Sequence, residues 1–394
     1  MKQKNKQPKL RFPQFDGNWE EKRLGEIFKI KYGKPYTHLD FGKIPLLGTG
    51  GVIGYVNESL YNKPSVLIGR KGTINKPRYI NTPFWTVDTL FYTEIKSNYA
   101  TFFIYLLVCK INWLKYNEAT GVPSLNTSSI KGVKVSLPSL AEQEKIADFF
   151  STLDAYLGQK KQRLALLQEY KRGIMQQLFS GQKRFQPDAG GEFPAWEWVC
   201  FNKIYSFKKN NSLSRANLQE EKTEIENIHY GDIHTRFNTI LDLQDQELPY
   251  IKEVNSKVGD LCLEQDLVIA DASEDYNDIG KTIELKNIGS RKIVAGLHTF
   301  LARPKKDMLA AGFGGYMMAS SSVRKQIKIE AQGAKVLGIS KTRLATIKIP
   351  LPSIAEQKKI AEFLEALDDR IKLVEQSVAQ LENWKKGLLQ ELLV

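Results

Sequence analysis

Gly280-Lys281-Thr282 has the ending of a phosphate-binding loop, but such a loop also needs a glycine five residues before Gly280, and position 275 is Asp. The run reads as a polar turn. Gly312-Phe313-Gly314-Gly315 suggests a cofactor loop, yet a lone glycine cluster serves equally as a flexible bend. Pro187-Asp188 lacks the following acid and lysine of a nuclease site. His229 and His234 are five apart with no supporting metal ligands, so they read as loop histidines free to face a nucleic-acid groove. No Asn/Asp-Pro-Pro-aromatic motif for amino methylation and no HExxH zinc motif is found. Cys109, Cys200 and Cys262 lie far apart without CxxC spacing, which argues against a disulfide framework or cysteine zinc site and suits a reducing cytosol. What remains is a binding protein with no catalytic residues and no metal site.

The 394 residues carry 57 Lys+Arg against 44 Asp+Glu, a formal net charge of +13. That balance points weakly toward nucleic acid. With 42% hydrophobic and 10% aromatic residues, the chain has enough apolar material for two or three domains. The basic start, MKQKNKQPKLRF, has no apolar run behind it and is not read as a signal peptide. The most apolar stretch, residues 102–108, is too short to span a bilayer. A soluble cytoplasmic protein with no membrane partner is expected.

The elements that position any binding residue are duplicated. Residues 134–154 read KVSLPSLAEQEKIADFFSTLD and residues 348–368 read KIPLPSIAEQKKIAEFLEALD. The offset of 214 holds to the C-terminus, and about 20 of 48 pairs are identical between 133–180 and 347–394. Weaker echoes link Glu118-Ala119-Thr120-Gly121 with Glu330-Ala331-Gln332-Gly333, and Trp19-Glu20 with Trp196-Glu197.

Both repeats read as long helices. Ile146, Phe150, Leu153, Leu157, Lys160, Leu164, Leu167, Lys171, Ile174 and Leu178 alternate spacings of four and three. So do Ile360, Leu364, Leu367, Ile371, Val374, Val378, Leu381, Lys385, Leu388 and Leu392. This is a heptad seam with polar interruptions, which favours helix–helix pairing over a helix packed only on its own domain. Pro138 and Pro352 precede the helices, Ser139/Glu142 and Ser353/Glu356 have capping-box spacing, and Gly181 is a stop signal. A helix of 40 residues spans about 60 Å.

The regions between read as mixed α/β. Strands are predicted at 64–69, 86–92, 267–270 and 292–301, helices at 101–114 and 310–329, and a linker at 181–195. The predicted division is therefore residues 1–140, helix 141–184, residues 185–354, and helix 355–394.

The paired Leu-Pro-Ser-Leu/Ile-Ala-Glu-Gln-x-Lys-Ile-Ala at 137–147 and 351–361, each opening a long helix, resembles the specificity subunit of type I restriction–modification systems. Residues 229–235 and 266–271 also resemble common target-recognition-domain sequences. The resemblance covers essentially the whole chain. It implies two mixed α/β target recognition domains separated by two helices paired as an antiparallel coiled coil, with a pseudo-twofold relation. It implies that this chain is not an enzyme. Each domain reads one half of a bipartite duplex DNA target, and two methyltransferase subunits dock on the helices. Those subunits carry S-adenosylmethionine and direct adenine methylation; two restriction/translocase subunits, with ATP and Mg, complete the assembly. Half-sites about 34–36 Å apart suit a two-headed reader, and a helix of about 60 Å can hold them there. The competing expectations are a self-contained methyltransferase or nuclease, and a coiled-coil scaffold with no DNA role.

Charge is uneven. Residues 1–140 carry 21 basic and 9 acidic side chains (+12), residues 141–185 carry 8 and 5, residues 186–354 carry 22 and 22, and residues 355–394 carry 6 and 8. In the first domain Gly69-Arg70-Lys71-Gly72 follows a predicted strand, with Lys76 and Arg78 close behind. Glycines let backbone approach phosphate, and Arg binds the guanine edge bidentately. Lys34, Thr49, Ser124 and Asn126 are further candidates in other loops. The neutral second domain needs local cations: His229, His234 and Arg236 in one loop, Lys335, Ser340 and Lys341 in another. Asp232, Ser273 and Glu274 either accept from a cytosine amino group or are turn residues. The Glu, Gln and Lys positions of the long helices read as solvated faces or docking surface.

Overall fold

The structure is a computed structural model, and it describes residues 7–244, 246–253 and 258–394. The first six residues of the basic start lie outside the described residues. Two units are distinguished: Met1–Gln162 with Glu375–Val394, and Arg163–Val374.

In the first unit, strand Glu20–Arg23 pairs antiparallel with Lys134–Leu137, directly before the first long helix. An antiparallel sheet runs in the order Phe28–Tyr32, Leu90–Ile95, Ser65–Gly69, Arg78–Ile80. A three-stranded sheet runs Gly51–Val56, Phe41–Gly48, Trp85–Thr86. Every residue of Ser65–Gly69 is buried. Val66 and Ile68 join the core formed with Phe103 and Ile104 of helix Thr101–Lys110, while Leu67 joins Phe84 and Tyr92. Successive strand residues face opposite sides, so a strand covered on both faces reads as a continuous apolar run.

The second unit repeats the frame. Strand Glu197–Cys200 pairs antiparallel with Lys348–Leu351 before the second long helix. A five-stranded sheet runs Tyr205–Lys208, Thr299–Pro304, Leu267–Ala270, Thr282–Lys286, Ile240–Asp242, with only the last pair parallel. Its central strand again serves two cores: Leu267 and Ile269 one, Val268 and Ala270 the other. A four-stranded sheet runs Leu218–Gln219, Tyr250–Ile251, Glu226–Ile228, Ile293–Ala295.

Four predicted elements divide. The strand expected over 86–92 is Trp85–Thr86 and Leu90–Ile95 with a turn between, and the helix expected over 101–114 is Thr101–Lys110 followed by the 3-10 turn Trp113–Tyr116. The strand expected over 292–301 is two strands, Ile293–Ala295 and Thr299–Pro304, separated by a turn in which His298 has φ 54°. The helix expected over 310–329 is two, Phe313–Ala319 and Ser321–Glu330. Ser320 breaks it with an extended backbone, its hydroxyl donating to the Met317 carbonyl at 2.6 Å. The hydroxyl competes with the helical hydrogen-bond pattern.

The long helices are Leu140–Phe179 and Ile354–Leu392. Their segments run antiparallel within each unit. In the first, Asp154 bonds Lys385, and Lys161 bonds Glu382. In the second, Lys171 bonds Asp368, and Arg184, just beyond the helix, bonds Glu356. Ile146, Phe150, Leu153, Leu157, Val378 and Leu392 are buried in the first unit, and Ile174, Leu178, Ile360, Leu364, Leu367, Ile371 and Val374 in the second. Leu164, Leu167, Leu381 and Leu388 are partly buried. The seam does more than join helices. Ile146 and Phe150 share a core with Phe103 and Trp113, as Ile360 and Leu364 do with Phe313 and Met317, so each helix start also anchors its own α/β body.

Candidate nucleic-acid interface

The repeated Glu-Gln pair fixes each α/β body to its helix. Glu142, Gln143, Glu356 and Gln357 are all no more than 2% exposed, which overturns their expected place on a solvated or docking face. Arg11 donates through Nε and Nη2 to the two Glu142 oxygens at 2.8 and 2.7 Å. Arg184 does the same to Glu356 at 3.0 and 2.6 Å, and Trp196 Nε1 adds a third bond at 2.9 Å. Gln143 accepts from the Ala100 N–H and donates to the Pro138 carbonyl; Gln357 accepts from Ala310 N–H and donates to Pro352. The expected capping box is therefore half made. Ser139 and Ser353 hydroxyls accept from the Glu142 and Glu356 N–H groups, both at 3.4 Å, but the carboxylates turn away to arginine.

In the first unit, the loop after strand Ser65–Gly69 is pinned by backbone bonds. Gly72 N–H donates to Pro123, Leu125 N–H donates to Arg70, and Lys71 bridges Ser124. Arg78 Nη2 donates to the Thr49 carbonyl at 3.3 Å. This gathers Thr49, Arg70, Lys71, Arg78 and Ser124, candidates from separate sequence loops, into one region. Arg70 lies 5.5 Å from the Tyr32 ring centroid and donates to the Asp88 carbonyl at 3.1 Å. Lys34, Lys71 and Lys76 are exposed. Asn126 is different: it caps helix Thr127–Gly132, accepting from Ser129 N–H at 2.7 Å, and donates to Glu118. Capping satisfies its acceptor and accounts for its residue type without a ligand.

In the second unit, the segment Asp271–Ser273 is the meeting point. His234 Nε2 lies 2.9 Å from the Ala272 carbonyl, Asp271 N–H donates to His298, and Ile339 N–H donates to Asp271. Strand Ala272–Ser273 pairs with Leu337–Gly338. His234, Ser273, Ser340 and Lys341 are thereby drawn together. Lys341 sits over the Phe300 ring at 5.4 Å, and Lys335 is exposed. His298 is a member that no sequence pattern indicated. Its Nδ1 is 3.3 Å from Asp271 Oδ1 and its ring meets Tyr230 edge-on at 5.2 Å.

Asp232 is corrected. It is 2% exposed and held bidentately by Arg215 at 2.7 and 3.0 Å, with Arg236 at 3.5 Å. Both its oxygens are committed, so it is not a base acceptor. Buried His229 accepts from the Gly231 N–H at 3.1 Å, and burial lowers its pKa. Ser273 is buried and bonds the Asp275 backbone in both directions, a turn role. Glu274 is exposed. Ser340 caps helix Lys341–Thr346 through Arg343 N–H at 3.2 Å, the same place that Asn126 holds 214 residues earlier.

The glycine cluster is a packing device. Gly312 and Gly315 N–H groups donate to the two Glu284 oxygens at 2.6 and 2.7 Å. A Cβ at Gly314 would collide with Tyr205 Oη, and Gly312 has φ 82°. Burial is the main cause that pushes the Glu284 carboxyl up to about 7, against the opposing pull of those two N–H bonds. Lys281 donates to the His234 carbonyl at 2.9 Å, as a turn residue would. Among the described residues no group of three or more His, Cys, Asp or Glu is placed to hold a metal ion. No helix among them is long and apolar enough to cross a membrane.

The family model described as the type I restriction modification DNA specificity domain matches residues 16–169 and again 195–383. The MjaVIII type I restriction enzyme specificity subunit of Methanocaldococcus jannaschii is 26% identical, over 98% of this chain and 93% of that one. The putative MjaX specificity subunit of the same organism is 27% identical, over 72% of this chain and 64% of that one. Among solved structures, the type I restriction–modification S subunit from M. genitalium superposes with a TM-score of 0.66 at 15% identity, covering 99% of both chains. A structure described as showing complex assembly and conformational transition of the type I R-M system superposes at 0.51 and 14% identity.

Proposed function

The chain belongs to the type I restriction–modification DNA specificity family, and from that premise we propose how it divides its work. It is the specificity subunit. Each α/β body reads one half of a bipartite duplex target. The carrying observation is the repeated frame, with a strand pair and a buried Glu–Arg lock in each unit, around loops that differ between the units. Equal frames with unequal loops suit two different half-sites.

This chain is non-catalytic. Its partners are two methyltransferase subunits, which carry S-adenosylmethionine, and two restriction subunits, which use ATP and Mg, in the cytoplasm. Supporting the first point, the histidines and acids around Asp271 and Asp232 are committed to turns and ion pairs. In the first unit Arg70, Lys71, Lys76, Arg78, Lys34 and Thr49 offer cations and donors to phosphate and bases. In the second, Lys335 and Lys341 do so, and His298 through the ring nitrogen that does not meet Asp271, whereas His234 is committed to the Ala272 carbonyl.

Methylome sequencing of cells expressing this chain with its methyltransferase tests the assignment. The expected outcome is adenine methylation at a two-part motif with a fixed gap. Robust methyl transfer from labelled S-adenosylmethionine by the purified chain alone would overturn the non-catalytic role. DNA binding that is absent, or indifferent to salt, even with the methyltransferase present, would favour a scaffold.

A further inference from the structure

Strands Phe41–Gly48 and Gly51–Val56 of the first unit form an antiparallel hairpin joined at Thr49-Gly50, with Leu47 opposite Val52 and Gly48 opposite Gly51. The second strand is the edge of its sheet. Val52 and Ile53 are each 54% exposed. Neighbouring strand residues point to opposite faces, so the edge strand is open on both faces, while its partner strand is not: Leu46 and Leu47 are buried and pair on their other side with Trp85 and Thr86. Tyr55, at 50%, continues the exposed edge, and Phe41, at 88%, lies at the other end of the ribbon. An exposed apolar edge strand is an aggregation hazard unless it has an occupant.

The charge around it selects the occupant. Between residues 29 and 80 the chain has nine basic side chains and two acidic ones. Arg78 supports the turn through the Thr49 carbonyl, and its guanidinium approaches Gly51, whose φ of 137° and missing side chain leave room for it. Arg70 lies against the exposed Tyr32 ring. An exposed apolar edge with Arg78 at its turn, in a strongly basic stretch of chain, complements a polyanion with apolar groups inside a groove. The apolar base feature of the major groove is the thymine C5-methyl.

We propose that the Thr49-Gly50 turn and the edge strand Gly51–Val56 meet the major groove of the half-site read by the first unit, with Val52 and Ile53 contacting thymine methyl groups. This rests on the function proposed above and names the reading element within it. Neither residue was a sequence candidate, because an exposed Val-Ile pair and a buried one have the same spelling.

The test uses the full chain assembled with its methyltransferase and a duplex carrying the motif found by methylome sequencing. Replacing thymine by deoxyuridine in the first half-site removes only the methyl. Binding is expected to weaken about three- to fivefold per contacted methyl, the value of one buried carbon. The exposed pair Val52→Ser/Ile53→Ser should fold normally, bind the thymine duplex about tenfold more weakly, and lose its sensitivity to deoxyuridine. Because neither side chain meets phosphate, the salt slope should not change. A wild-type complex indifferent to deoxyuridine in that half-site, or a variant that still responds as the wild type does, would overturn the inference. So would a variant that fails to assemble with the methyltransferase yet binds DNA normally, since the hairpin would then be a protein contact. In each of these outcomes methylation at a two-part motif leaves the proposed function standing. Absence of such methylation sinks that function instead.

Discussion

Lys385 donates to Asp154 across the paired helix segments of the first unit, and the same bond recurs in the second unit as Lys171 to Asp368. Each lysine and each aspartate is 214 residues from its counterpart, so one bond of the ancestral repeat is made twice with the helices exchanging roles. These lysines are two of the three polar interruptions of the heptad seam, the other being Lys160. A charge in an apolar seam must meet its partner, which makes it a register marker.

Replacing Lys385 by Ala should destabilise the chain by about 1–2 kcal/mol, less than for a fully buried pair because both side chains keep some solvent exposure. Lys385→Leu with Asp154→Leu should hold or raise stability while loosening the register. Urea unfolding of the singles and the double reads the first effect. Methylome sequencing reads the second as a gap of mixed length.

Glu356→Ala leaves Arg184 and the Trp196 N–H without their shared acceptor, and should cost about 3 kcal/mol or more. Glu142→Ala should cost a similar amount through Arg11. Thermal unfolding checks both. An unchanged melting temperature would mean that the buried locks do not hold the bodies to the helices.

Glu284 sets a pH dependence with a definite sign. Its folded pKa, about 7, lies above the ordinary value of 4.5, so between those values the folded state holds the proton more tightly. Stability from this group is full below about pH 4.5 and is lost as pH rises through 7. His229, whose pKa burial lowers from 6.5, acts oppositely, losing stability as pH falls below 6.5. Glu284→Gln should therefore flatten the fall between pH 5 and 8 and leave the His229 slope. Denaturant midpoints at several pH values measure the difference.

Two glycines predict opposite results. Gly158 lies exposed within helix Leu140–Phe179, and an added Cβ there would meet open space, so Gly158→Ala should stabilise by about 0.5–1 kcal/mol. Gly314→Ala drives its methyl into Tyr205 and should destabilise by about 1–3 kcal/mol. Calorimetry of both variants tests whether the cluster is packing rather than a cofactor loop.

Lys71→Ala with Lys76→Ala removes two exposed cations from the first unit. The slope of log affinity against log salt should fall by up to about two while the methylated motif stays the same. Asp232→Asn should lower stability through Arg215 without changing the motif. A changed half-site would restore Asp232 as a reader.

The sequence by itself determined the duplication, the two long helices with their seam, and the strands whose faces are both covered, because these are periodic or repeated signals that need no distant partner. It also determined the family, through two copies of one motif. Tertiary structure decided what the polar residues do. Asp, Ser, Asn and Glu serve equally at turns, caps, ion pairs and DNA contacts, and only the partner tells them apart. Arg11 is 131 residues from Glu142, and Arg184 is 172 from Glu356. Asn126 and Ser340 became caps, Asp232 became one end of an ion pair, and His298 joined a site through a turn inside an expected strand. The surplus of positive charge was legible from composition. That it meets an exposed apolar edge strand at Arg78 was not, because burial belongs to the folded chain and not to the residue type.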